Sequence, residues 1–151
     1  MLFRSASGDY SVVSGGLNNV AGTQYSAVVG GKNNQACSTA AGPNASAFVG
    51  GGHDNCACGD WNPVVVGGSY NCATGSNSFV GGGCGNRAEG YHSTIAGGTN
   101  NCIDGDGGSN ATIGGGLYNS ASGDYSVVSG GRNNRLRDGS SFATKIGRAH
   151  V

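Results

Sequence analysis

The chain has 151 residues, of which 32 are glycine and only 11% are charged, and its eight basic and eight acidic side chains cancel. Glycine near a fifth of the chain, against roughly 7% ordinarily, does not suit an ordinary mixed-core domain, and the balanced charge gives no electrostatic basis for binding nucleic acid or an anionic membrane. No run of 18 apolar residues is present to span a bilayer, and Met1-Leu2-Phe3-Arg4 lacks the apolar stretch of a secretion signal.

The first predicted element is a strand over Tyr10-Ser11-Val12-Val13-Ser14, β-branched at its centre and bounded by glycine. Alternation along a strand puts Val13 on one side with Ser11 and Gly15, and Val12 with Ser14 on the other. Gly15-Gly16 follows as a corner, because glycine reaches positive φ at little cost. Asn19 comes next, a residue that tolerates left-handed backbone and bonds neighbouring main-chain groups. A second short strand then carries Ala21 inward before Gly22 closes the turn.

The same order recurs down the chain. The asparagine of Gly-Gly-x-x-Asn falls at Asn19, Asn34, Asn55, Asn71, Asn86, Asn101, Asn119 and Asn134, with spacings of 15, 21, 16, 15, 15, 18 and 15. Six residues before each anchor stand Val13, Val28, Val49, Val65, Val80, Ile95, Ile113 and Val128, all β-branched and aliphatic. Two residues after it stand Ala21, Ala36, Ala57, Ala73, Ala88, Ile103, Ala121 and Leu136. Residues 6–16 and 121–131 are identical. One repeat is therefore one turn of a coil, with two strands and two corners, and its apolar faces are buried only by stacking on its neighbours.

This pattern defines an all-β fold, a single-stranded parallel β-solenoid of eight coils of about 15 residues. The valine and isoleucine column is its core, and the anchors are expected to form an asparagine ladder in which each amide bonds the next. The two longer spacings predict loops pushed out of the stack, one over Cys37 to Ala45 and one over Asp104 to Asn110, which carry Asn-x-Ser/Thr sequons at Asn44 and Asn110. The repeats occupy residues 1–145. The last six residues, 146–151 (IGRAHV), break the pattern and read like translated adapter sequence, so they are expected to be a non-native tail on a fragment of a longer protein; a genuine C-terminal tail is the alternative.

Seven residues before the anchors lie Val12, Ala27, Phe48, Val64, Phe79, Thr94, Thr112 and Val127, which alternation points outward although six are apolar. A mildly apolar β-face is one reading. A homotypic interface, with Val12, Phe48, Val64, Phe79 and Val127 as its face, answers better to a stripe of that length.

With these columns in view, SASGDYSVVSGGLNNVAG and EGYHSTIAGGTNN resemble the YadA-like head repeats of trimeric autotransporter adhesins, and similar repeats occur in phage and viral tail fibres. The resemblance covers residues 5 to 144. It implies a left-handed β-roll, a homotrimer around a common axis, and attachment to a host matrix or cell-surface receptor by a protein at the cell surface or on a virion fibre. The repeat here is about a residue longer than the usual head repeat, and its invariant aliphatic is displaced by one position from the commonest form.

Candidate chemistry is sparse, and neither an enzyme nor a cofactor is expected. His53, Asp54, Cys56 and Cys58 lack zinc-ligand spacing. Gly50-Gly51-Gly52 has no phosphate-loop Lys-Ser/Thr after it, and His53, His92 and His150 have no matching serine and carboxylate columns. Threonines form no single long column of the kind an ice-binding face needs, and the acids are too scattered for a glycosidase pair. Cys56, Cys72 and Cys102 share the column after the anchor, and Cys56 and Cys72 on successive coils are near enough for a disulfide; cysteine also simply fills small half-buried slots. Tyr10, Tyr25 and Tyr125, with Trp61 and Tyr91 beside their column, are candidate ligand contacts, or equally cross-strand packing that supports the sheet.

Overall fold

The structure, a computed structural model, describes residues 4–38, 45–137 and 142–146. Their strands build two nine-stranded sheets, parallel throughout, and successive strands along the chain alternate between them. One sheet, here the valine sheet, runs from Val12–Val13 to Thr144–Lys145; the other, the alanine sheet, runs from Arg4–Ala6 to Arg135–Leu136. Register is in phase with the repeat, as in Val49↔Val65, Val80↔Ile95 and Ala57↔Ala73. The fold is the parallel β-solenoid that the spacing predicts.

Each sheet has one strand more than the eight anchors indicate. Arg4–Ala6 pairs with Asn19–Ala21, and Thr144–Lys145 pairs with Val127–Val128. Neither carries the Gly-Gly-x-x-Asn signature, because main-chain pairing asks for no particular side chain. The coil also has a third side that the two-strand scheme omits. Single-residue parallel bridges run along it through Leu17, Lys32, His53, Ser69, Cys84, Thr99, Leu117 and Arg132.

Val28, Val49, Val65, Val80, Ile95, Ile113 and Val128 are each at most 1% exposed, whereas Val13 on the first rung of its sheet is half-buried. Facing them, Ala21, Ala36, Ala57, Ala73, Ala88 and Ala121 are fully buried. Large side chains from one sheet thus meet small ones from the other, which keeps the interior narrow and filled. Ile103 and, on the last rung, the partly buried Leu136 are the large residues of the alanine column. Ile103 is fully buried. It sits beside Gly90 and Gly108, at which an added Cβ would lie 3.1 and 2.5 Å from its Cγ2.

The corners differ in detail from expectation. The anchor asparagines are not left-handed; the residue before each of them is, as at Asn18 (φ 55°), Asn33 (55°), Asp54 (56°) and Tyr70 (57°). A second left-handed position opens the valine strands, at Tyr10, Tyr25, Asn62, Asn77, His92, Asn110 and Tyr125. There a four-residue turn closes through bonds such as Ser26 N–H to Thr23 O at 3.1 Å. The first insertion begins later than the sequence suggests, since Cys37 N–H still bonds Ala57 O at 2.9 Å; residues 39–44, including the Asn44 sequon, lie outside the described residues, as do His150 and 147–151 of the tail. Ile146 is described and 81% exposed. Among the described residues no helix is long and apolar enough to cross a membrane.

Candidate functional site

The asparagine column is an internal spine rather than an edge. All eight anchors are buried, none more than 3% exposed. Asn86 shows the arrangement: its Nδ2 donates to Gly82 O and Gly98 O, both at 2.8 Å, while its Oδ1 accepts the main-chain N–H of Asn101 at 3.0 Å. Amide-to-amide bonds, the expected linkage, are present at Asn55–Asn34, Asn101–Asn86 and Asn134–Asn119. The bonds that recur from Asn19 to Asn119 are instead to two glycine carbonyls and the next main-chain N–H, because a short side chain at this corner reaches backbone before it reaches the next amide. A thinner polar ladder lies outside it on the left-handed residues. Asn33 Nδ2 donates to Asp54 Oδ1 at 2.9 Å, and that bond, with the neighbouring His53, holds the Asp54 carboxyl below its ordinary range.

The outer face of the valine sheet is defined by two columns. One is the stripe from Val12 to Val127, and the other, two residues on, is Ser14, Val29, Gly50, Val66, Gly81, Ala96, Gly114 and Ser129. Not one of these sixteen residues is charged, whereas the equivalent columns of the alanine sheet hold Arg87, Glu89, Asp104, Arg135 and Arg137. Val12, Val29, Phe48, Val66 and Phe79 are exposed. The rings of Phe48 and Phe79 lie over Gly50 and Gly81, where an added Cβ would meet Cε1 at 3.5 and 3.4 Å. Val64 and Val127 are half-buried in the same stripe.

The aromatic candidates share an edge but do not converge. Tyr10 and Tyr25 stack on each other, with centroids 5.3 Å apart and planes 8° from parallel. Tyr125 stacks on Phe142 at 4.9 Å, a partner that the sequence analysis missed because no anchor marks that last rung. Tyr91 meets His92 edge-on at 4.6 Å, and Trp61 is 38% exposed. Tyr25, Phe48, Asn62 and Val64 border a shallow hollow of about 100 Å³ between this edge and the valine sheet.

The outer face of the alanine sheet carries the sulfur chemistry, with a different pairing from the one expected. The disulfide joins Cys37 to Cys58, with Cα atoms 4.7 Å apart. Cys56 and Cys72 are free thiols, as are Cys84 and Cys102. Both members of the bonded pair stand three residues after their anchors, Asn34 and Asn55, and so occupy one column; assigning Cys37 to the insertion conceals this. Cys56 and Cys72 are direct register partners and half-buried. The adjoining Cys56 thiol, and after it Arg87 one rung further, bring the Cys72 thiol down to about 7, while the pairing with Cys72 and burial push Cys56 up. Burial and the carboxylate of Asp104 push Cys102 up to about 12. With Cys58 in the disulfide, His53, Asp54, Cys56 and Cys58 do not form a common ligand set.

No protein-family model matches the chain, and no curated protein matches it in sequence. The geometry is therefore the basis of the functional reading.

Proposed function

We propose that the chain is one arm of a homotrimeric attachment head, a rod whose valine sheets pack together around a common axis and whose other faces meet a receptor. The observation that supports this is the uncharged outer face of the valine sheet. A lone rod leaves sixteen uncharged positions in water, including the rings of Phe48 and Phe79, on a sheet whose opposite partner is freely decorated with charge. Closed cyclic assembly covers such a stripe on every copy at once. Threefold closure is what the likeness to trimeric head repeats implies, and the same likeness supports a role in attachment at a cell surface or on a fibre. The aromatic edge, outside the packed stripe, offers the contact area.

Sedimentation equilibrium tests the assembly. A trimer is expected, Phe79→Lys is expected to give monomer with an unchanged far-UV spectrum, and a strict wild-type monomer overturns the proposal. Binding of the assembled protein to immobilised matrix proteins and glycans tests the second half. Weakened binding by Tyr10→Ala and Tyr25→Ala together, with the trimer intact, is the expected result; no binding to any surface overturns the attachment role.

A further inference from the structure

We infer that Cys56 and Cys72 form a dithiol exchange site on the alanine sheet, taking small-molecule disulfides as its substrate class. The inference is independent of the proposed assembly, which uses the opposite sheet. Its basis is positional. Successive rungs of one outward column read Cys56, Cys72, Arg87 and Cys102. On the neighbouring column, two residues away, the same kind of register pair, Cys37 and Cys58, is already joined. The strand spacing that accommodates that bond is shared by Cys56 and Cys72, so closing a second one asks for no movement of the main chain.

The roles are unequal. Cys72 is the nucleophile because its next rung carries the Arg87 guanidinium, whereas the rung on the far side of Cys56 carries the uncharged Gln35. Arg87 is itself kept in place by Glu89, whose Oε1 accepts from its Nε at 2.6 Å. In the first step the Cys72 thiolate attacks one sulfur of R–S–S–R; a Cys72–S–S–R bond forms, the R–S–S–R bond breaks, and R–S⁻ leaves and takes up a proton. In the second step Cys56 loses its proton to solvent and attacks Cys72 Sγ. The Cys56–Cys72 bond forms, and the second R–S⁻ departs and is protonated. Two protein thiols are oxidised, and one external disulfide is reduced to two thiols. Cys102, half-buried beside Asp104, has no cysteine on either adjoining rung: its register partners are Arg87 and Ser120.

The test treats the full chain with oxidised glutathione near pH 7 and maps cysteines by differential alkylation and peptide mass spectrometry. The Cys56–Cys72 disulfide is expected to accumulate while Cys37–Cys58 persists, with Cys72 reacting about a hundredfold faster than Cys102. Cys56→Ser is expected to stop at a stable mixed disulfide on Cys72, and Cys72→Ser to leave Cys56 unmodified. Both variants point outward, and circular dichroism verifies their folding. The inference is overturned if Cys56 and Cys72 stay reduced while Cys84 or Cys102 reacts, or if the wild type keeps a mixed disulfide as stably as Cys56→Ser does. Should either variant fail to fold, the order of modification in the wild type decides alone.

Discussion

The side-chain oxygen of Asn86 accepts the main-chain N–H of Asn101, one rung along the rod, at 3.0 Å, while the amide nitrogen of Asn86 binds two glycine carbonyls. One side chain thus binds three main-chain groups, of which Gly82 O and Asn101 N–H have no main-chain partner, while Gly98 O also accepts the N–H of Cys84. Asn86→Ala leaves those groups without this partner, at about 1–3 kcal/mol for each group left buried and unpaired. With Gly82 O and Asn101 N–H left unpaired, a loss of about 2–6 kcal/mol in chemical denaturation is expected.

Asn86→Asp keeps the shape and changes the sign of the interaction. Its carboxylate faces the carbonyls of Gly82 and Gly98, so its folded-state pKa rises above the unfolded value of about 3.9. The folded state then holds the proton more tightly than the unfolded state. The variant is accordingly most stable below the unfolded pKa and loses stability as pH climbs through and beyond it. Thermal melts from about pH 3 to pH 7 read this as a falling midpoint that the wild type does not share.

The two glycines of each pair are equivalent in the repeat and unequal in the coil. Gly68 has φ +83°, and a Cβ there would lie 2.2 Å from Gly83 O; Gly67 has nothing within 4 Å. Gly68→Ala is expected to destabilise by more than about 3 kcal/mol or to prevent folding, and Gly67→Ala to stay within about 1 kcal/mol of wild type. Comparing the two denaturation midpoints checks the asymmetry.

That asymmetry marks where the sequence stops being legible. Periodicity reports which columns repeat, and so the inward valines, the alanines and the coil count are readable to within the two terminal strands. It does not report which of two repeated residues bears a constraint. Asn19 and Asn18 are both asparagine, yet one is a buried spine residue and the other a left-handed corner. Pairing of Cys37 with Cys58 escapes for another reason: the 21-residue spacing hides that the two stand equally far past their anchors. The third side is invisible because main-chain bridges impose no residue type.

Inside the coil, the hydroxyl oxygens of Ser93 and Ser126 are buried with no hydrogen-bond partner, and the same column holds Ala47 and Ala111 on other rungs. Removing an unsatisfied buried hydroxyl without opening a void relieves its desolvation cost. Ser93→Ala and Ser126→Ala are each expected to be neutral or to stabilise by up to about 1 kcal/mol, read from denaturant midpoints.

At Cys72 the expected pH dependence is one of reactivity. Its lowered value of about 7 would favour folding above the ordinary thiol range and lose that contribution as pH falls through 7, but the upward shift of Cys56 acts in the opposite sense. Alkylation of Cys72 by iodoacetamide is expected to rise through a midpoint near 7. Arg87→Gln is expected to move that midpoint upward, since it removes the nearby positive charge. Time-resolved peptide mapping measures both.

The bridge column from Leu17 to Arg132 holds two leucines, a lysine, a histidine, a serine, a cysteine, a threonine and an arginine, all on the same main-chain pairing. Folding is thereby uncoupled from spelling along that line. The rod acts as a ruler graduated at about 4.8 Å, whose marks carry varied chemistry, apolar, polar and basic but not acidic, on one unbroken line of main-chain bonds.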